Sequence, residues 1–469
     1  MLALDWRRRQ RRIRQRVPTS FHMSTSEMKR FATIPILVAV FLLAGSMPAA
    51  GQVTTATLRG EVVDETDDAL PGANVIAIHQ PSGTQYGTTT NASGRYTLPN
   101  VRVGGPYQVT ASFVGYQRTR ESGIQLGLGE SRSVDFVLVE TTEELDGVEV
   151  VAEGGVFSDE NDGVSTRLST EEVESAPTVG RELADLTRLT PQAFVVNDDD
   201  DGSAISIAGQ NNRLNAIYID GAVSNDVFGL SAQGTDGGQT GASPISIDAI
   251  EAVEVNISPF TVLQSGFAGG AINTVTRSGT NDFAGSLYYL RRDQNFAEDL
   301  PDFSNNRFGF RVGGPIIKDR LFFHVTAEGL RSDNPQPAVA AGQYQGDTPF
   351  NGDGDLGTID GVDEIAPFLR EELGYDPGGF GDRSSSLDNE NVVARLDYNA
   401  NPSNRFSLRY IYNDPENTDQ FRTDSREVQF ANNAEVFPST THTVTGEWNA
   451  TIGNRYANKF LISYKRVRD

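Results

Sequence analysis

Beyond residue 282 the sequence alternates apolar residues with polar or small ones, and this alternation recurs along the rest of the chain. Side chains of a β-strand point alternately to its two faces, so each recurrence predicts a strand with one apolar and one polar face. About seven strands of roughly ten residues are expected, which is the length that crosses a bilayer as part of a barrel. The segments are 286–291, 307–312, 321–328, 392–398, 406–412, 444–450 and 460–465.

The connections between these segments alternate in length. A medium link at 293–306 is followed by a short one at 313–320, and a long link at 332–389 by a short one at 401–404. Another long link covers 414–440, and a short one covers 452–454. Short turns on one side and long loops on the other are typical of an outer-membrane β-barrel. A soluble sandwich has no reason to keep this rhythm, so the pattern favours a barrel wall.

The composition excludes several classes of function. The 469 residues contain no cysteine and only four histidines, which are far apart in the sequence. Disulfides, thiolate metal sites and clustered zinc ligands are therefore not expected, and neither is an enzyme. The net charge is −24. Residues 1–51 carry a net positive charge, so the remainder of the chain is even more acidic than the total indicates. A body this acidic repels nucleic acid, and no cofactor is expected.

Residues 1–51 predict an export signal. Lys29 and Arg30 precede a 14-residue apolar stretch at 31–44, and small residues follow at 46–52. The stretch would rise about 21 Å as a helix, too short for a bilayer core of roughly 30 Å. We expect a signal peptide that is cleaved between Ala49 and Gln52. The arginine-rich beginning is interpreted as a spurious extension before a start at Met23 or Met28, the alternative being a long basic leader region.

Residues 52–140 predict an Ig-like β-sandwich. Strand-like runs at 57–63, 73–79, 94–98, 107–114 and 133–139 are separated by turn signals. The pattern Gly-x-Val-x-Asp at 60–64, with Leu-Pro-Gly-Ala-Asn-Val at 70–75, resembles the carboxypeptidase-regulatory-like domain. Ser-Gly-Arg-Tyr at 93–96 and Phe-Val-Gly-Tyr at 113–116 match the same domain. The resemblance implies a module without catalytic activity.

Residues 141–165 are interpreted as a linker that contains one β-prone segment. The segment consists of Leu145, Asp146, Gly147, Val148, Glu149, Val150 and Val151. Such a segment can be captured as an added strand at the sheet edge of another protein. The alternative is a spacer that happens to contain three valines.

Residues 166–277 predict a compact α+β domain. Ser169 or Thr170 caps a helix over 170–175, and a second helix is expected over 180–189. A hairpin follows, in which the strand at 215–219 turns at Asp220-Gly221. Further strands are expected within 245–255 and 269–277.

The same region carries motifs that we recognise. Ile-Ala-Gly-Gln-Asn-Asn-Arg at 207–213, Ala-Ile-Tyr-Ile-Asp-Gly at 216–221 and Ile-Asp-Ala-Ile-Glu-Ala-Val-Glu-Val at 247–255 resemble the plug domain of TonB-dependent receptors. Residues 266–276 resemble the passage from plug to barrel in that family, and 276–283 with 313–323 are most similar to the Oar-like subgroup.

The resemblance implies a plugged outer-membrane transporter. Residues 278–469 would be the opening strands of a barrel that has 22 strands when complete, and the chain is therefore expected to be a fragment. The segment 145–151 would be the Ton box, although Gly147 and Glu149 depart from its commoner form. The implied partners are TonB with its inner-membrane complex, outer-membrane lipid and an extracellular ligand, with the N-terminal domain and linker in the periplasm.

The plug motifs supply candidate site residues. Asp220-Gly221 is expected to set a turn, and Gly269-Gly270 is expected to let the backbone pass close to the barrel wall. Three charged residues are either plug–wall ion pairs that release under load or ordinary solvated charges: Arg213, Glu251 and Glu254.

The acidic loop at 347–364 carries two further patterns. Glycines at 352, 354 and 357 fit a dinucleotide-binding expression, but the strand and helix that it requires do not flank them. Asn351, Asp353, Asp355 and Asp360 are a weak calcium candidate, because Leu356 occupies the position where an EF-hand has glycine. A solvated loop is the simpler interpretation, as it is for the acidic run at 198–201.

The alternative function is an adhesion or structural protein of the outer membrane that transports nothing. The sandwich and the long acidic loop suit it. A secreted peptidase lacks any zinc or nucleophile constellation in this sequence.

Overall fold

A computed structural model of the chain describes most of the residues beyond the predicted leader. The described residues are 54–141, 148–151, 164–178, 180–198, 202–226, 231, 234–257, 267–296, 303–336, 360–378, 383–419, 430–453 and 456–469. These residues form three β-rich parts.

The first part, called the sandwich, covers residues 54–141 and contains two packed sheets. One sheet has the order β4-β1-β7, with β8 also paired to β1, and the other has the order β3-β2-β5-β6-β9. Its strands are β1 (Ala56–Asp64), β2 (Asn74–His79), β3 (Thr84–Thr89), β4 (Arg95–Val101), β5 (Gly104–Ser112), β6 (Thr119–Leu126), β7 (Ser131–Ser133) and β8 (Phe136–Leu138), and the linker adds β9 (Val148–Val151).

Alternate residues of the sandwich strands build a core between its two sheets. Leu58, Tyr107 and Ile124 are nearly or fully inaccessible to solvent, and each belongs to a strand in which buried and partly exposed residues alternate. The core contains 19 buried apolar residues from this part of the chain alone. The expected Ig-like sandwich is therefore confirmed. The sequence missed β3 and β6, because their polar runs such as Thr-Gln-Tyr-Gly-Thr-Thr lack a continuous apolar signal.

The second part, called the plug, covers residues 164–278 and is a mixed α+β domain. Its main sheet has the order β10-β15-β16-β13-β14, and β11 and β12 form a separate hairpin. The elements are β10 (Ser165–Leu168), α1 (Thr170–Ser175), α2 (Leu183–Thr187), β11 (Ala193–Asp198), β12 (Gly202–Ile207), β13 (Ala216–Ile219), β14 (Ala222–Val223), β15 (Ile250–Asn256) and β16 (Ala271–Thr276).

The helices of the plug are short. Ser169 caps α1 in a capping box with Glu172, as the sequence indicated. The second helix is only the five residues of α2, shorter than the predicted 180–189, because Arg181 lies in the left-handed region at φ 54° and Glu182 caps the helix. The hairpin of β11 and β12 was not predicted.

The third part, called the wall, is an antiparallel sheet whose strands pair in sequence order. Its order is β17-β18-β19-β20-β21-β23-β24, with the short β22 added to β21. A helix, α3, lies in the long loop before β20. The bounds are β17 (Ala284–Asp293), β18 (Ser304–Ile317), β19 (Leu321–Gln336), α3 (Asp360–Leu373), β20 (Arg383–Asn401), β21 (Asn404–Asp419), β22 (Glu435–Pro438), β23 (Thr440–Ile452) and β24 (Tyr456–Arg468).

The wall is inverted relative to a soluble sheet: its apolar face is exposed and its polar face is buried. On β21 the outward Phe406 and Leu408 are exposed, whereas the inward Arg409 is 3% exposed. The other strands repeat this arrangement. Outward residues include Leu287, Tyr289, Phe308, Phe310, Leu396, Val444, Phe460 and Ile462, and buried inward residues include Arg307, Thr326, Glu328, Asn391, Arg395, Thr445 and Glu447.

Aromatic side chains gather on the outward face beside the short turns. Tyr398, Phe406 and Trp448 stack in sequence, with ring centroids 6.4 and 6.0 Å apart. Phe283 and Phe323 form a further pair at 6.3 Å on the same side of the sheet. Such a girdle is characteristic of the interface between lipid and water in outer-membrane barrels.

The wall strands are longer than the sequence predicted. β20 has 19 residues where seven were expected, and β19 has 16 residues where eight were expected. Strict alternation reveals only the part of a strand with contrasting faces, and the polar ends continue the hydrogen-bonded ladder into the loops. The short β22 was missed for the same reason.

None of the helices in the described part of the chain has both the length and the hydropathy needed to cross a membrane.

Replacing Ile462 by Arg should destabilise the wall in a phospholipid bilayer by about 2–4 kcal/mol, because an arginine near the bilayer midplane must leave water. Ile462 is an exposed outward residue that lies opposite Gly446 in the middle of β23. The matched control is Ser463→Arg, whose side chain lies on the inward face and bonds with Thr445 at 3.2 Å. Urea unfolding from vesicles compares the two, and equal losses would contradict the inside-out assignment.

His79 makes the sandwich sensitive to acid. Its side chain is buried, and Nδ1 lies 2.7 Å from Oγ of Ser82. Burial lowers its pKa to about 2, assisted by the charge of Arg102. Between the ordinary pKa of 6.5 and this value the unfolded chain binds a proton that the folded sandwich does not. Stability is therefore lost as the pH falls through this window.

The difference in unfolding free energy between wild type and His79→Gln should change by about 1.4 kcal/mol per pH unit below pH 6. The wild type is expected to lose stability faster on acidification. Tyrosine fluorescence during urea unfolding of residues 52–141 provides the measurement, since the sandwich has its own core. Parallel pH profiles for the two proteins would show that His79 does not contribute.

Candidate functional site

The turn at Asp220-Gly221 ties together two strands of the plug. Both residues have positive φ angles, 51° and 76°, as the hairpin between β13 and β14 requires. Asp220 is 1% exposed, and its carboxylate accepts hydrogen bonds from the backbone N–H of Thr276 at 2.9 Å and from its hydroxyl at 2.7 Å. The side chain thereby fixes the end of β16, where the chain passes from plug to wall.

Asp220 also belongs to a buried ionic network that joins all three parts. Nε of the wall residue Arg409 lies 3.5 Å from Asp220, and its Nη1 donates to Glu447 at 3.0 Å. The hydroxyl of Thr54, at the beginning of the sandwich, donates to Glu447 at 3.1 Å. All three charged side chains are almost completely buried. Buried charges are tolerated only when they are paired and hydrogen-bonded, so each part depends on the other two here.

Further polar contacts attach the plug to the inward face of the wall. Arg307 pairs with Glu328 at 2.7 Å and donates to the carbonyl of Gly180 at 2.7 Å. Ser246 donates to Glu328 at 3.0 Å. Asn391 donates to the carbonyl of Pro244 at 3.1 Å, Arg311 pairs with Glu174 at 3.0 Å, and Lys465 contacts Asp236 and the carbonyl of Val223.

Two of the three charges considered as plug–wall ion pairs have other partners. Glu251 pairs with Arg102 of the sandwich at 3.0 Å, and Glu254 pairs with Arg167 of the plug itself at 3.3 Å. Burial raises the pKa of Glu254, which Arg167 and Asn273 partly offset. Arg213 is exposed and makes no ion pair within the described residues. Sequence spacing could not reveal these partners, because they come from different parts of the fold.

Gly269 and Gly270 lie against the plug core rather than the wall. A Cβ atom on Gly269 would meet Oδ1 of Asn215 at 2.3 Å, and one on Gly270 would meet the side chain of Ile207 at 2.7 Å. The backbone at these glycines therefore passes close to Ile207 of β12 and to Asn215, which precedes β13, whereas the sequence placed it beside the wall.

The sandwich is seated against the plug and the side of the wall that carries the short turns. Asn399 donates to Thr84 at 2.9 Å, and Asn281 donates its backbone N–H to the carbonyl of Pro81 at 2.8 Å. The guanidinium of Arg405 stacks on Tyr86 at 4.1 Å from the ring centroid. Burial opposes the charge on Arg102, but Glu251 outweighs it and raises the Arg102 pKa. The sandwich therefore contacts both the plug and the end of the wall that carries the short turns.

A cavity of about 860 Å³ lies where the three parts meet. Its charged lining contains side chains of both signs from all three parts: Arg102, Glu130, Arg132, Arg167, Glu171, Glu172, Glu174, Glu251, Arg277 and Arg311. A second cavity, of about 320 Å³, lies between the plug and the ends of the wall strands that lead to the long loops. Its lining includes four arginines and one glutamate: Arg181, Arg291, Arg292, Arg307 and Glu182.

The segment predicted as the Ton box is only partly described. Leu145, Asp146 and Gly147 lie outside the described residues. Val148–Val151 form β9, which pairs in parallel with β6 of the sandwich. The linker therefore contains a strand that is docked on the protein's own sheet.

Most of the calcium candidates, Asn351, Asp353 and Asp355, lie outside the described residues, as does most of the acidic run at 198–201. Asp360 is the first residue of α3. Within the described part of the chain, no group of three or more acidic or histidine side chains could hold a metal ion.

Sequence reasoning missed the residues that assemble this site, namely Arg102, Arg307, Glu328, Arg395, Arg409 and Glu447. A signal was present for five of them. Each occupies the inward position of an alternating strand, where a charged residue must find a partner on whatever the wall encloses. Arg102 had no such signal, because it follows the last residue of a sandwich strand.

Three family models match the chain. The carboxypeptidase regulatory-like domain matches residues 57–139, the TonB-dependent receptor plug domain matches 158–272, and an outer membrane beta barrel domain matches 275–354. The chain is 27% identical over 319 residues to the TonB-dependent transporter Oar of Myxococcus xanthus, covering 61% of this chain and 28% of Oar. It is 30% identical over 173 residues to the probable TonB-dependent siderophore receptor PirA of Acinetobacter baumannii, covering 35% and 22%.

Solved structures resemble about two thirds of the chain at low sequence identity. The siderophore receptor PirA from Acinetobacter baumannii gives a TM-score of 0.45 at 18% identity, covering 65% of this chain and 40% of PirA. The outer membrane transporter YddB from Escherichia coli gives 0.44 at 13% identity, covering 64% and 38%. The chain spans about a quarter of the length of the curated relatives that it matches.

Replacing Glu251 by Gln should loosen the sandwich from the plug, because it leaves the largely buried Arg102 without its charge partner. We expect a loss of about 1–3 kcal/mol in the docking equilibrium. The chain has no cysteine, so docking is reported by the rate of disulfide formation between Thr84→Cys and Asn399→Cys.

The matched control for this measurement is Glu254→Gln, which removes an ion pair confined to the plug. Its rate should equal that of the parent. An unchanged rate in the Glu251→Gln protein would show that Arg102 and Glu251 do not hold the sandwich in place.

Proposed function

Because this chain belongs to the TonB-dependent receptors of the outer membrane, we propose that it binds an extracellular ligand and imports it with energy supplied by TonB. Its wall lies in the outer membrane, and its plug and sandwich lie on the periplasmic side. Import, the ligand and the TonB partnership are the proposed steps. The relatives of known class are transporters and receptors rather than enzymes, which supports a function without catalysis.

The observation that carries the proposal is the polar attachment of the plug to the wall. A permanent structural plug would gain most from apolar packing. This plug packs against the apolar wall residues Val393 and Ile411, but it also meets the wall through many ion pairs and hydrogen bonds, such as Asp220–Arg409 and Arg307–Gly180. Polar contacts of this kind can be exchanged for water when the plug is displaced, because the exposed groups are then solvated. The interface is therefore suited to reversible opening under load.

The cavity on the side of the long loops supports an entry site for the ligand. Four arginines line it, namely Arg181, Arg291, Arg292 and Arg307. Three of them pair with carboxylates, and Glu182 also lines the cavity, so a ligand would meet both cationic and anionic side chains. We expect the ligand to offer hydrogen-bonding groups to this polar and charged lining. The relative PirA is described as a probable siderophore receptor, and an iron chelate is therefore one ligand class to test.

The adhesion alternative requires no partner for the linker strand. Transport requires TonB to recognise this strand. Binding of TonB to the chain therefore distinguishes the two functions.

The periplasmic C-terminal domain of TonB should bind the chain through residues 145–151. Changing Val148 and Val150 to Pro should abolish the binding, because proline lacks the N–H that an added strand needs. Isothermal calorimetry in detergent measures it, and Val156→Pro, beyond the strand, should bind like the parent. Retained affinity in the double proline variant would remove the Ton box assignment and leave the adhesion function as the better interpretation.

A further inference from the structure

The strand β9 is the last strand of a sandwich sheet, and it is also the described part of the assigned Ton box. Its four residues pair in parallel with β6, in the register Thr119–Val148, Arg120–Glu149, Glu121–Val150 and Ser122–Val151. In the sheet order β3-β2-β5-β6-β9 it has one neighbour among the described strands. One of its backbone edges is thus paired, and no other strand in the described part of the chain pairs with the second edge, which is called the open edge below.

An open edge on an ordered strand is the structure that strand addition needs. A partner strand adds by hydrogen bonding to N–H and C=O groups that are extended and unpaired. A flexible linker has to lose backbone freedom at each residue before it can present such an edge. Here the pairing with β6 has already ordered the four residues, so less of the binding free energy is spent on ordering.

The sheet behind β9 is rigidly supported. β6 pairs on its other side with β5, and its residues Ile124 and Leu126 are buried in the sandwich core. The sandwich is in turn fixed to the plug by Arg102–Glu251 and to the wall by Thr84–Asn399. The strand is therefore held at a defined place, on the sheet edge of a sandwich that is fixed to the plug and the wall.

We propose that the sandwich presents the Ton box to TonB as a preformed edge strand. TonB adds its own strand to the open edge of β9 while β9 remains paired with β6, and the sandwich sheet then continues into TonB. The partner surface is the composite edge formed by β6 and β9, which makes the sandwich part of the TonB receptor site. This inference rests on the proposed function, because it requires that 145–151 be the Ton box.

A reversible covalent lock tests the proposal in the full chain, which has no native cysteine. Glu121→Cys and Val150→Cys are register partners, and register partners in a sheet lie close enough for a disulfide. The control pair, Thr119→Cys with Val150→Cys, is two residues out of register. Ser122→Cys with Val151→Cys is a second registered pair that repeats the test at another position.

The registered pairs should oxidise at least tenfold faster than the control pair. The oxidised protein should then bind the C-terminal domain of TonB with a Kd within threefold of that of its own reduced form. The reduced form serves as the folding control, because it carries the same substitutions.

Two results would overturn the proposal. Oxidation of the registered pairs no faster than that of the control would show that β9 is not docked on β6. Loss of TonB binding on oxidation, restored by a reductant, would show that TonB has to displace β9 from the sandwich.

A failure of the underlying function gives a different pattern. If neither the reduced variants nor the unmodified chain bind TonB, the Ton box assignment fails and the presentation of a Ton box fails with it. The oxidation rates still report the strand pairing in that case, so the two failures are distinguished.

Discussion

The burial of charge on the inward face of the wall is the constraint on which the rest of the structure depends. A sheet whose apolar face is turned outward must place its arginines and glutamates on the other side, and each of them needs a partner there. Arg307, Arg395 and Arg409 find carboxylates of the wall and carbonyl or carboxylate groups of the plug. Since the wall cannot satisfy these groups alone, it specifies a polar domain inside it, and the plug supplies one.

The same constraint explains why the sandwich is more than an appended module. Its first described residue, Thr54, bonds with Glu447, and its Arg102 satisfies Glu251 of the plug. One hydrogen bond and two ion pairs therefore connect the sandwich to the wall and the wall to the plug. They join Thr54 to Glu447, Glu447 to Arg409, and Arg409 to Asp220. A displacement of the plug would expose several of these groups together. The linker strand β9 is held on the same sandwich by its pairing with β6.

Much of the architecture was predictable, because it follows from local patterns. The period-2 alternation located all seven long wall strands, the Asp220-Gly221 pair located the plug hairpin, and Ser169 located a helix cap. The strand ends, β3 and β6 were missed, because polar strands have no contrast between their faces. The hairpin of β11 and β12 was also missed, although β11 has the apolar run Ala-Phe-Val-Val. For Glu251 and Glu254 the sequence left a wall partner and a solvated charge open, and the structure pairs them with the sandwich and within the plug. Gly269 and Gly270 were expected beside the wall and lie against the plug core. Such pairings depend on long-range packing, which spacing in one sequence does not encode.

Trp448 can report directly whether the outward apolar face of the wall meets lipid. The sequence has only two tryptophans, and the other, Trp6, lies in the predicted leader. Trp448 is in the outward aromatic stack with Phe406, beside the short turns. In vesicles of brominated lipids, a protein without the leader should show tryptophan emission that is strongly quenched, most by bromines placed near the headgroups. Emission that brominated lipids leave unchanged while aqueous iodide quenches it fully would contradict a wall that meets lipid with this face.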